Sequence, residues 1–461
     1  MKKTKYLPYI SGSMLLSAVA APAAIGQTPE KPNVIYFLCD DLGFADIEAY
    51  GNQHIATPNI NRLAANGMSF TQHYSGSTVS GPSRACLMTG QHTGHTHIRG
   101  HIEHPNGQEP LDPNVKILPQ LFKSQGYATG AFGKWGLGHE TSNTKPNDMG
   151  FDRFYGYINQ VHAHTYYPTY LWKNTTRVSL DGKTYSQDLI HNEAMQFIRD
   201  NKDKPFFGYF AYVLPHAALH QPNDSIYQRY TNKFPETAWN GGYYPAVEKP
   251  HAQHAGMVTR IDTYIGQIVA ELEALGILDN TIIFFTSDNG PHTEGGADPN
   301  FFNTEKRMQG TKRSLNEGGV RVPFIVQWNG KVPAGTTSHH ISAFWDMMPT
   351  FTELLGLKNT WTQETDGISI LPTLTQSGTQ AEHEYMYWEF KEGNSIALRK
   401  GNWKLIKNNA SSTSPVFLLY DLDTDLGEKN NLAAKYPEKL EELKQIMNNA
   451  RTVSPFSQFN F

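Results

Sequence analysis

Several apolar runs in this sequence end directly in charged or titratable side chains. These are Asp40 and Asp41 after NVIYFLC, Lys134 after YATGAFG, His216 after FFGYFAYVLP, and Asp288 and Asn289 after TIIFFTS. Taken singly, each is explained equally well as a charge on a solvated loop. Four runs that all end in this way indicate instead that the ends of several strands assemble one site.

The acidic members of this set predict a metal site. Asp40, Asp41, Asp288 and Asn289 together offer three carboxylates and one amide oxygen. Such hard oxygen donors suit Ca²⁺, or alternatively Mg²⁺, better than zinc, which would want more histidine or cysteine. Three neighbouring carboxylates also repel one another and therefore favour a bound cation.

Basic side chains accompany the acidic ones. Lys134, His216 and Arg84, together with Lys312 in GTKRSLNEGGVRVP, would surround an anionic, tetrahedral substrate next to a divalent ion. Fixed cations stabilise the charge on such a group during its transfer. The Gly-Gly pair at 318–319 in the same segment is expected to form a tight backbone bend, which is a structural role.

The segment SGPSRACLMTG (80–90) allows two interpretations. Pro82 suits the first turn of a helix, because its ring fixes φ and its missing N–H would have no partner there. Ser80 would then lie just upstream of a helix N-terminus, where backbone donors favour a negative charge. The serine is therefore either an ordinary helix cap or a nucleophile, and the segment alone leaves both open.

The elements that position these residues follow an alternating pattern. The predicted strands are NVIYFL, YATGAF, FFGYFAYVL, TIIFFT and VPFIVQW, and the predicted helices are NINRLAANG, LPQLFKSQG, DLIHNEAMQFIRD and MVTRIDTYIGQIVAELEALG. Alternation of this kind is typical of an α/β fold with a mostly parallel sheet, which binds ligands at the carboxyl ends of its strands. Beyond residue 380, three short runs predict a small antiparallel sheet, and YPEKLEELKQIMNNA predicts a helix.

Composition and the N-terminus narrow the class of protein. The 461 residues carry 39 Lys plus Arg and 43 Asp plus Glu, so a net charge of −4 gives no reason to expect nucleic-acid binding. Two cysteines, Cys39 and Cys86, do not make a disulfide framework. Residues 1–26 are typical of a secretory signal peptide, and no later run is apolar enough to span a bilayer. We expect a periplasmic or secreted protein.

Six separated motifs together resemble one known family. They are NVIYFLCDDLGF, SGPSRACLMTG, GKWGLG, the pair Pro215-His216, SDNGPH and GTKRSLNEGGVRVP. In this order they are similar to the formylglycine-dependent sulfatases of the alkaline-phosphatase-like superfamily, with a serine-type signature. The resemblance implies a catalytic domain (27–380) with a large, mostly parallel sheet flanked by helices. A small C-terminal α+β subdomain (381–461) with an antiparallel sheet would follow.

The resemblance also implies roles for individual residues. Ser80 would be oxidised to formylglycine by a radical iron–sulfur maturation enzyme, and its hydrated aldehyde would attack sulfur. Asp40, Asp41, Asp288 and Asn289 would hold Ca²⁺, which the modified Ser80 also reaches. The remaining roles fall on basic side chains: Arg84 and Lys134 would steady the formylglycine and the sulfate, while His216 and Lys312 would face the bridging oxygen, with His216 as general acid.

The stretch GFDRFYGYINQVHAHTYYPTYLWKN resembles a subgroup that acts on sulfated galactose-type sugars. This similarity implies an exo-acting sulfatase for sulfated galactose or N-acetylgalactosamine units of a carbohydrate. His292 and the aromatic residues near Tyr166 would contact the sugar.

One motif departs from the family, because GKWGLG has Gly136 where many members have a histidine that removes a proton during sulfate release. His162 and His164 are the replacement candidates, since an H-A-H pair on an extended strand would direct both rings to one side. The other interpretation is that both rings line the sugar pocket.

Two further functions compete with a sulfatase. A phosphatase or phosphodiesterase of the same superfamily would use an unmodified serine or threonine and two zinc ions held by Asp and His. A carbohydrate-binding protein on an inactive enzyme fold would keep the sheet and lose the charged residues. The serine signature and the hard oxygen ligands argue against the first, and the retained charges argue against the second.

Overall fold

The secondary structure alternates between strands and helices over most of the chain. The computed structural model describes residues 1–4, 31–302, 308–358, 361 and 363–461. The strands are β1 Asn33–Cys39, β2 Met68–Phe70, β3 His73–Tyr74, β4 Glu103–His104, β5 Gly107–Gln108, β6 Ala128–Lys134, β7 Arg153–Tyr157, β8 Tyr170–Lys173, β9 Thr176–Ser179, β10 Phe206–Ala211, β11 Thr281–Ser287, β12 Phe324–Gln327, β13 Thr336–Ser338, β14 Ser342–Ala343, β15 Met386–Phe390, β16 Ser395–Lys400, β17 Trp403–Asn408 and β18 Val416–Asp421. The helices are α1 Pro58–Asn66, α2 Ser80–Thr89, α3 Leu118–Ser124, α4 Ser186–Asn201, α5 Ser225–Gln228, α6 Pro250–Ala274, α7 Pro299–Phe302, α8 Glu317–Val320, α9 Met347–Leu354, α10 Leu371–Thr375 and α11 Pro437–Asn449.

Ten strands form the large sheet, in the order β13-β2-β12-β11-β1-β10-β6-β7-β8-β9. Its centre, from β11 to β7, is parallel, and β12 runs antiparallel to β11. The predicted α/β fold with a mostly parallel sheet is confirmed. The five predicted strands all lie in this sheet, and VPFIVQW forms the antiparallel one.

Both faces of the sheet are covered, which explains why β1 is apolar at nearly every position. Side chains alternate across a strand, so Ile35 and Phe37 pack with α1, α4 and α6 on one face. Val34 and Tyr36 pack with α2, α3 and α9 on the other face. The segment that begins at Ser80 therefore belongs to a helix that is anchored in the core.

The small sheet is antiparallel, in the order β15-β16-β17-β18, and α11 packs against it, as predicted. The boundary near residue 380 stays a prediction. The predicted signal peptide falls almost wholly on residues 5–30, which lie outside the described residues. Among the described helices, none combines the length and apolar character needed to cross a membrane.

Three local predictions differ from the structure. Ser80 is the first residue of α2 rather than upstream of it, and no side chain caps the helix N-terminus. The pair 318–319 lies in the helical turn α8, where a Cβ on either glycine would come within 2.2 Å of a backbone oxygen. The segment His162–His164 is a turn of 3₁₀ helix and not a strand.

Candidate active site

The carboxyl ends of four adjacent strands bring the predicted site residues together. Asp40 and Asp41 follow β1, Lys134 ends β6, His216 comes five residues after β10, and Asp288 and Asn289 follow β11. These strands are neighbours in the order β11, β1, β10, β6. The six side chains belong to residues that are at most 2% exposed, so the site is a buried cluster of charges.

Ser80 lies inside this cluster. Its hydroxyl donates to Asp40 Oδ1 at 3.0 Å and accepts from Lys134 Nζ at 3.2 Å. Helix α2 is closed at its far end by Gly90, whose φ of 75° lets its N–H bond Cys86 O. Because the Ser80 hydroxyl bonds an acid and a base and does not cap the helix, the helix-cap interpretation does not describe it.

Three carboxylates and three basic side chains pair one to one. Asp40 Oδ2 accepts from Lys134 at 2.7 Å, Asp41 Oδ2 accepts from Lys312 at 2.9 Å, and Asp288 Oδ2 accepts from Arg84 Nη2 at 2.8 Å. The repulsion that led us to expect a cation is thus already reduced by side chains. The metal prediction needs separate support.

That support comes from Asn289. Its Nδ2 donates to Asp41 Oδ1 at 2.7 Å, whereas its buried Oδ1 has no hydrogen-bond partner among the described residues. A buried carbonyl oxygen without a partner is costly, and a hard cation between it and the neighbouring carboxylates would satisfy it. Asp41 also has a φ of 64°, a rare conformation for a residue with a side chain. The residues present therefore fit a metal ion.

A second ligand set overlaps the first. Asp40, Asp41 and His216 offer ligand atoms that all lie within 4.8 Å of one another. A nitrogen ligand would favour a softer ion such as zinc. However, His216 Nε2 already accepts a hydrogen bond from Lys312 Nζ at 3.0 Å. Lys312 Nζ also donates to Asp41 Oδ2 at 2.9 Å, so this bond does not decide between the two ligand sets, and the choice of ion stays a prediction.

Lys312 and His216 form a pair with a defined direction. The Nδ1 of His216 donates to Ala217 O, which leaves Nε2 as the acceptor for the ammonium of Lys312. Burial, the charge of Lys312 and other basic neighbours lower the pKa of His216 well below its usual value. Burial opposes the charge of Lys312, but Asp41 and Glu294 raise its pKa. The mobile proton of this pair therefore resides on Lys312.

The other predicted histidines separate in space. His164 lines the cavity above Ser80, and its ring stacks on His216 at 4.5 Å. His162 lies off the cavity wall and stacks on Tyr170 at 4.2 Å. The side chain of Asn159 accepts from the N–H groups of residues 161 and 162, and this local turn overrides the strand-like alternation.

His292 and Tyr166 both contact the residue His216. Neither side chain lines the cavity. His292 Nδ1 accepts from Glu294 N at 3.1 Å, and its ring stacks on His216 at 5.5 Å. The Tyr166 hydroxyl donates to His216 O at 2.7 Å. Both residues support the loop that carries His216, and a direct sugar contact by either of them, or by His162, stays a prediction.

The space beside Gly136 is filled from elsewhere in the chain. A Cβ at Gly136 would lie 3.4 Å from Gln160 Oε1, and the amide of Gln160 bonds His101 Nδ1 at 3.1 Å. The His101 ring would be 3.7 Å from a Cβ on Gly81, the neighbour of Ser80. Burial, together with the charges of Lys312 and Lys134, lowers the pKa of His101 to about 4. Sequence reasoning missed this histidine.

Glu294 was missed as well. It accepts from the Tyr244 hydroxyl at 2.9 Å and pairs with Lys312 at 3.5 Å and with Arg313. Burial would raise its pKa, but Lys312 and Arg313 lower it strongly. The sequence signal was weak, because Glu294 follows SDNGPH by two residues and Arg313 follows Lys312 directly. Glu294 and Arg313 both line the cavity.

Comparisons with known proteins identify the family. The family model described as Sulfatase matches residues 32–357, and one described as N-sulphoglucosamine sulphohydrolase, C-terminal, matches residues 308–453. The N-acetylgalactosamine-6-sulfatase of Rattus norvegicus is 32% identical, over 86% of this chain and 74% of its own length. The N-acetylgalactosamine-6-O-sulfatase of Bacteroides thetaiotaomicron is 28% identical, over 97% and 99%.

A solved structure agrees with these relatives. Ps i-CgsB in complex with k-i-k-neocarrahexaose has a TM-score of 0.77 and 30% identity, over 91% of this chain and 92% of that one. Its likeness extends over nearly the whole fold. This chain therefore belongs to the sulfatase family and is a sulfuric ester hydrolase.

Proposed function

We propose that this protein removes sulfate from sulfated carbohydrates through a formylglycine made from Ser80. The observation that carries the proposal is the Ser80 hydroxyl, which is held between Asp40 and Lys134 in the wall of a cavity. A sulfate ester that enters this cavity meets fixed positive charge on several sides, which stabilises the additional charge of a transition state.

One Ca²⁺ ion, with Mg²⁺ as the alternative, fits the acidic side of the cluster. Asp40, Asp41, Asp288 and Asn289 would hold it, together with the side chain at position 80. Bound there, the ion would withdraw charge from the sulfate oxygens. It would also take over the role of counter-charge from Lys134 and Lys312. Their ammonium groups could then turn toward a sulfate that arrives in the cavity.

Oxidation of the Ser80 carbon would remove two hydrogens and give an aldehyde, whose hydrate has two hydroxyls where serine has one. This step would need a radical iron–sulfur maturation enzyme as partner. Arg84, one helical turn after Ser80, donates to Asp288 and to the Lys134 carbonyl, and thereby fixes α2 against two strand ends.

The leaving group needs a proton, and the Lys312–His216 pair would supply it. Lys312 carries the proton, and its ammonium group donates a hydrogen bond to His216 Nε2. When a sugar oxygen takes the place of that nitrogen as acceptor, the same N–H bond points at the oxygen that must leave. His216 then acts with Lys312, and the general acid is the pair rather than the imidazole alone.

For the substrate, we propose an exo-acting enzyme on sulfated galactose or N-acetylgalactosamine. The support comes from relatives named as N-acetylgalactosamine-6-sulfatases and from the complex with k-i-k-neocarrahexaose. The cavity measures about 360 Å³, near the lower end of the range for small-molecule sites, and suits one terminal sugar. Export to the periplasm or beyond rests on the N-terminal sequence.

The test is release of inorganic sulfate from a panel of sulfated monosaccharides. We expect turnover of N-acetylgalactosamine or galactose sulfates, none by Ser80→Ala, and none of the matching sugar phosphates. Cleavage of the phosphates by unmodified enzyme would favour the phosphatase alternative. Cleavage of glucosamine sulfates alone would contradict the proposed substrate while keeping the activity.

A further inference from the structure

An exposed aromatic ring stands at the rim of the charged cavity. Tyr243 is 74% exposed, the largest exposure of any aromatic side chain among the described residues, yet it forms part of the cavity wall. Its neighbour Tyr244 is only 8% exposed. Burying a tyrosine ring is favourable, so a ring left open beside a binding cavity indicates a ligand that covers it.

The loop that carries this ring is fixed. Trp239 and Val247 exchange two backbone hydrogen bonds, at 2.8 and 2.9 Å, and Gly242 N donates to Tyr244 O at 2.9 Å. The Tyr244 ring is edge-on to Tyr243, with centroids 5.0 Å apart, and its hydroxyl is held by Glu294. The backbone bonds of the loop and the contact with Tyr244 therefore hold the Tyr243 ring in place.

A second contact relates the ring to the reacting groups. Tyr243 also lies edge-on to His164, at 6.2 Å between centroids, and His164 stacks on His216. A row of rings thus leads from the Lys312–His216 pair outward to the solvent. A substrate whose leaving oxygen contacts the Lys312–His216 pair, and which extends outward along these rings, would therefore pass Tyr243.

The rim also has an apolar member on another loop. Val161 is 42% exposed and lines the same cavity, whose interior is formed mainly by charged and histidine side chains. A pyranose ring has the matching character, because its hydroxyls lie around the edge and its C–H bonds form apolar faces. Such a face can cover an aromatic ring while the hydroxyls remain in water.

We propose that Tyr243 is the centre of a second sugar subsite, which binds the pyranose linked to the sulfated terminal sugar. The proposal rests on the proposed function, since the sulfated sugar fills the cavity itself. A protein partner or a second copy of the chain would also cover the ring. The sugar is favoured because Tyr243 is continuous with the cavity wall and the cavity holds about one sugar.

The experiment measures binding without turnover, in a Ser80→Ala background. The probes are 6-sulfated N-acetylgalactosamine and a disaccharide in which this sugar is linked to uncharged galactose. Titration calorimetry compares Tyr243 with Tyr243→Ala and Tyr243→Phe. The matched control is Tyr436→Ala, another exposed tyrosine, which packs on Trp403 in the small sheet.

We expect Tyr243→Ala to weaken the disaccharide about tenfold and the monosaccharide less than about twofold, while Tyr243→Phe and Tyr436→Ala change neither. Equal weakening of both probes, no weakening, or no binding of either probe would overturn the subsite. Selective weakening, combined with no sulfate release from either probe by the enzyme that retains Ser80, would keep the subsite and contradict the proposed function. Sulfate release by that enzyme without selective weakening of the disaccharide would support the proposed function and overturn the subsite.

Discussion

The protein contains two buried clusters of paired charges that have similar chemistry and different surroundings. The cleft cluster joins Asp40, Asp41 and Asp288 to Lys134, Lys312 and Arg84. The joint cluster lies under the small sheet, where Glu317 accepts from Lys404 at 2.8 Å, from Tyr74 at 2.7 Å and from Arg321 at 3.1 Å, and Glu428 pairs with Lys404 at 3.0 Å.

Access to a ligand distinguishes the two clusters. In the joint cluster the Lys404 and Glu317 side chains are fully buried, and the basic neighbours outweigh burial to lower the pKa of Glu317 to about 2. In the cleft cluster the Lys134 and Lys312 side chains line a cavity, and Asn289 Oδ1 lacks a hydrogen-bond partner among the described residues. Similar ion pairs thus hold two parts of the chain together in the joint cluster, whereas in our proposal those of the cleft cluster bind a substrate and a metal.

The largest effect should come from Ser80→Ala. Loss of the nucleophile should reduce turnover by about 10⁴-fold or more. The hydroxyl makes only local bonds to Asp40 and Lys134, so we expect little change in thermal stability. Sulfate release and thermal unfolding of the same preparation check both parts. Substantial residual turnover would place the nucleophile elsewhere.

Matched lysine variants separate the two clusters. Lys312→Met should lower kcat/KM by about 10²-fold or more, because a fixed charge near the leaving oxygen is lost. Lys404→Met should lower the free energy of unfolding by about 3–5 kcal/mol, because Glu317 and Glu428 keep buried charges without a partner. Activity per folded molecule should remain. Kinetics and denaturant unfolding test the pair, and the opposite pattern would reverse our assignment.

Removal of the metal should affect only the cleft cluster. An ion that binds the folded state alone stabilises it by about 2.7 kcal/mol at a hundredfold excess over its Kd. Chelation should therefore abolish turnover and lower the unfolding temperature by several degrees, and Ca²⁺ should restore both. Asp41→Asn should lose this response and Glu428→Gln should keep it. An X-ray anomalous signal for zinc at Asn289 would contradict the oxygen ligand set.

Substitutions of the histidines in and beside the cavity should give the smallest and most selective effects. His164→Ala should slow turnover, because this ring contacts His216 and lines the cavity. His162→Ala should change kcat/KM less than about threefold, since its ring packs on Tyr170.

His101→Ala tests whether His101, which lies near Gly136, replaces the histidine that many family members have at the position of Gly136. Pre-steady-state kinetics would show that role as slow sulfate release with substrate binding unchanged.

The sequence predicted those parts of the site that depend on local pattern. Apolar strands of six or seven residues end where the sheet ends, so Asp40, Lys134 and Asp288 could be assigned to one edge before the fold was known. The H-A-H pair was misinterpreted because side-chain bonds from Asn159 form a turn that alternation does not reveal.

Residues that reach the site from other segments were not predictable in this way. His101 arrives from a loop that Glu392, almost three hundred residues later, fixes through the His101 backbone N–H. Tyr243 lies in a turn whose position depends on contacts with Glu294 and His164. No periodicity in the sequence encodes such long-range contacts. They follow only from the assembled fold.

The most direct test of the central claim is the mass of the peptide that contains Ser80, measured on active protein purified from its native host. We expect a peptide lighter by two hydrogens than the encoded one, in a fraction that rises in proportion to specific sulfatase activity across preparations. Full sulfatase activity in protein that carries only unmodified Ser80 would contradict it.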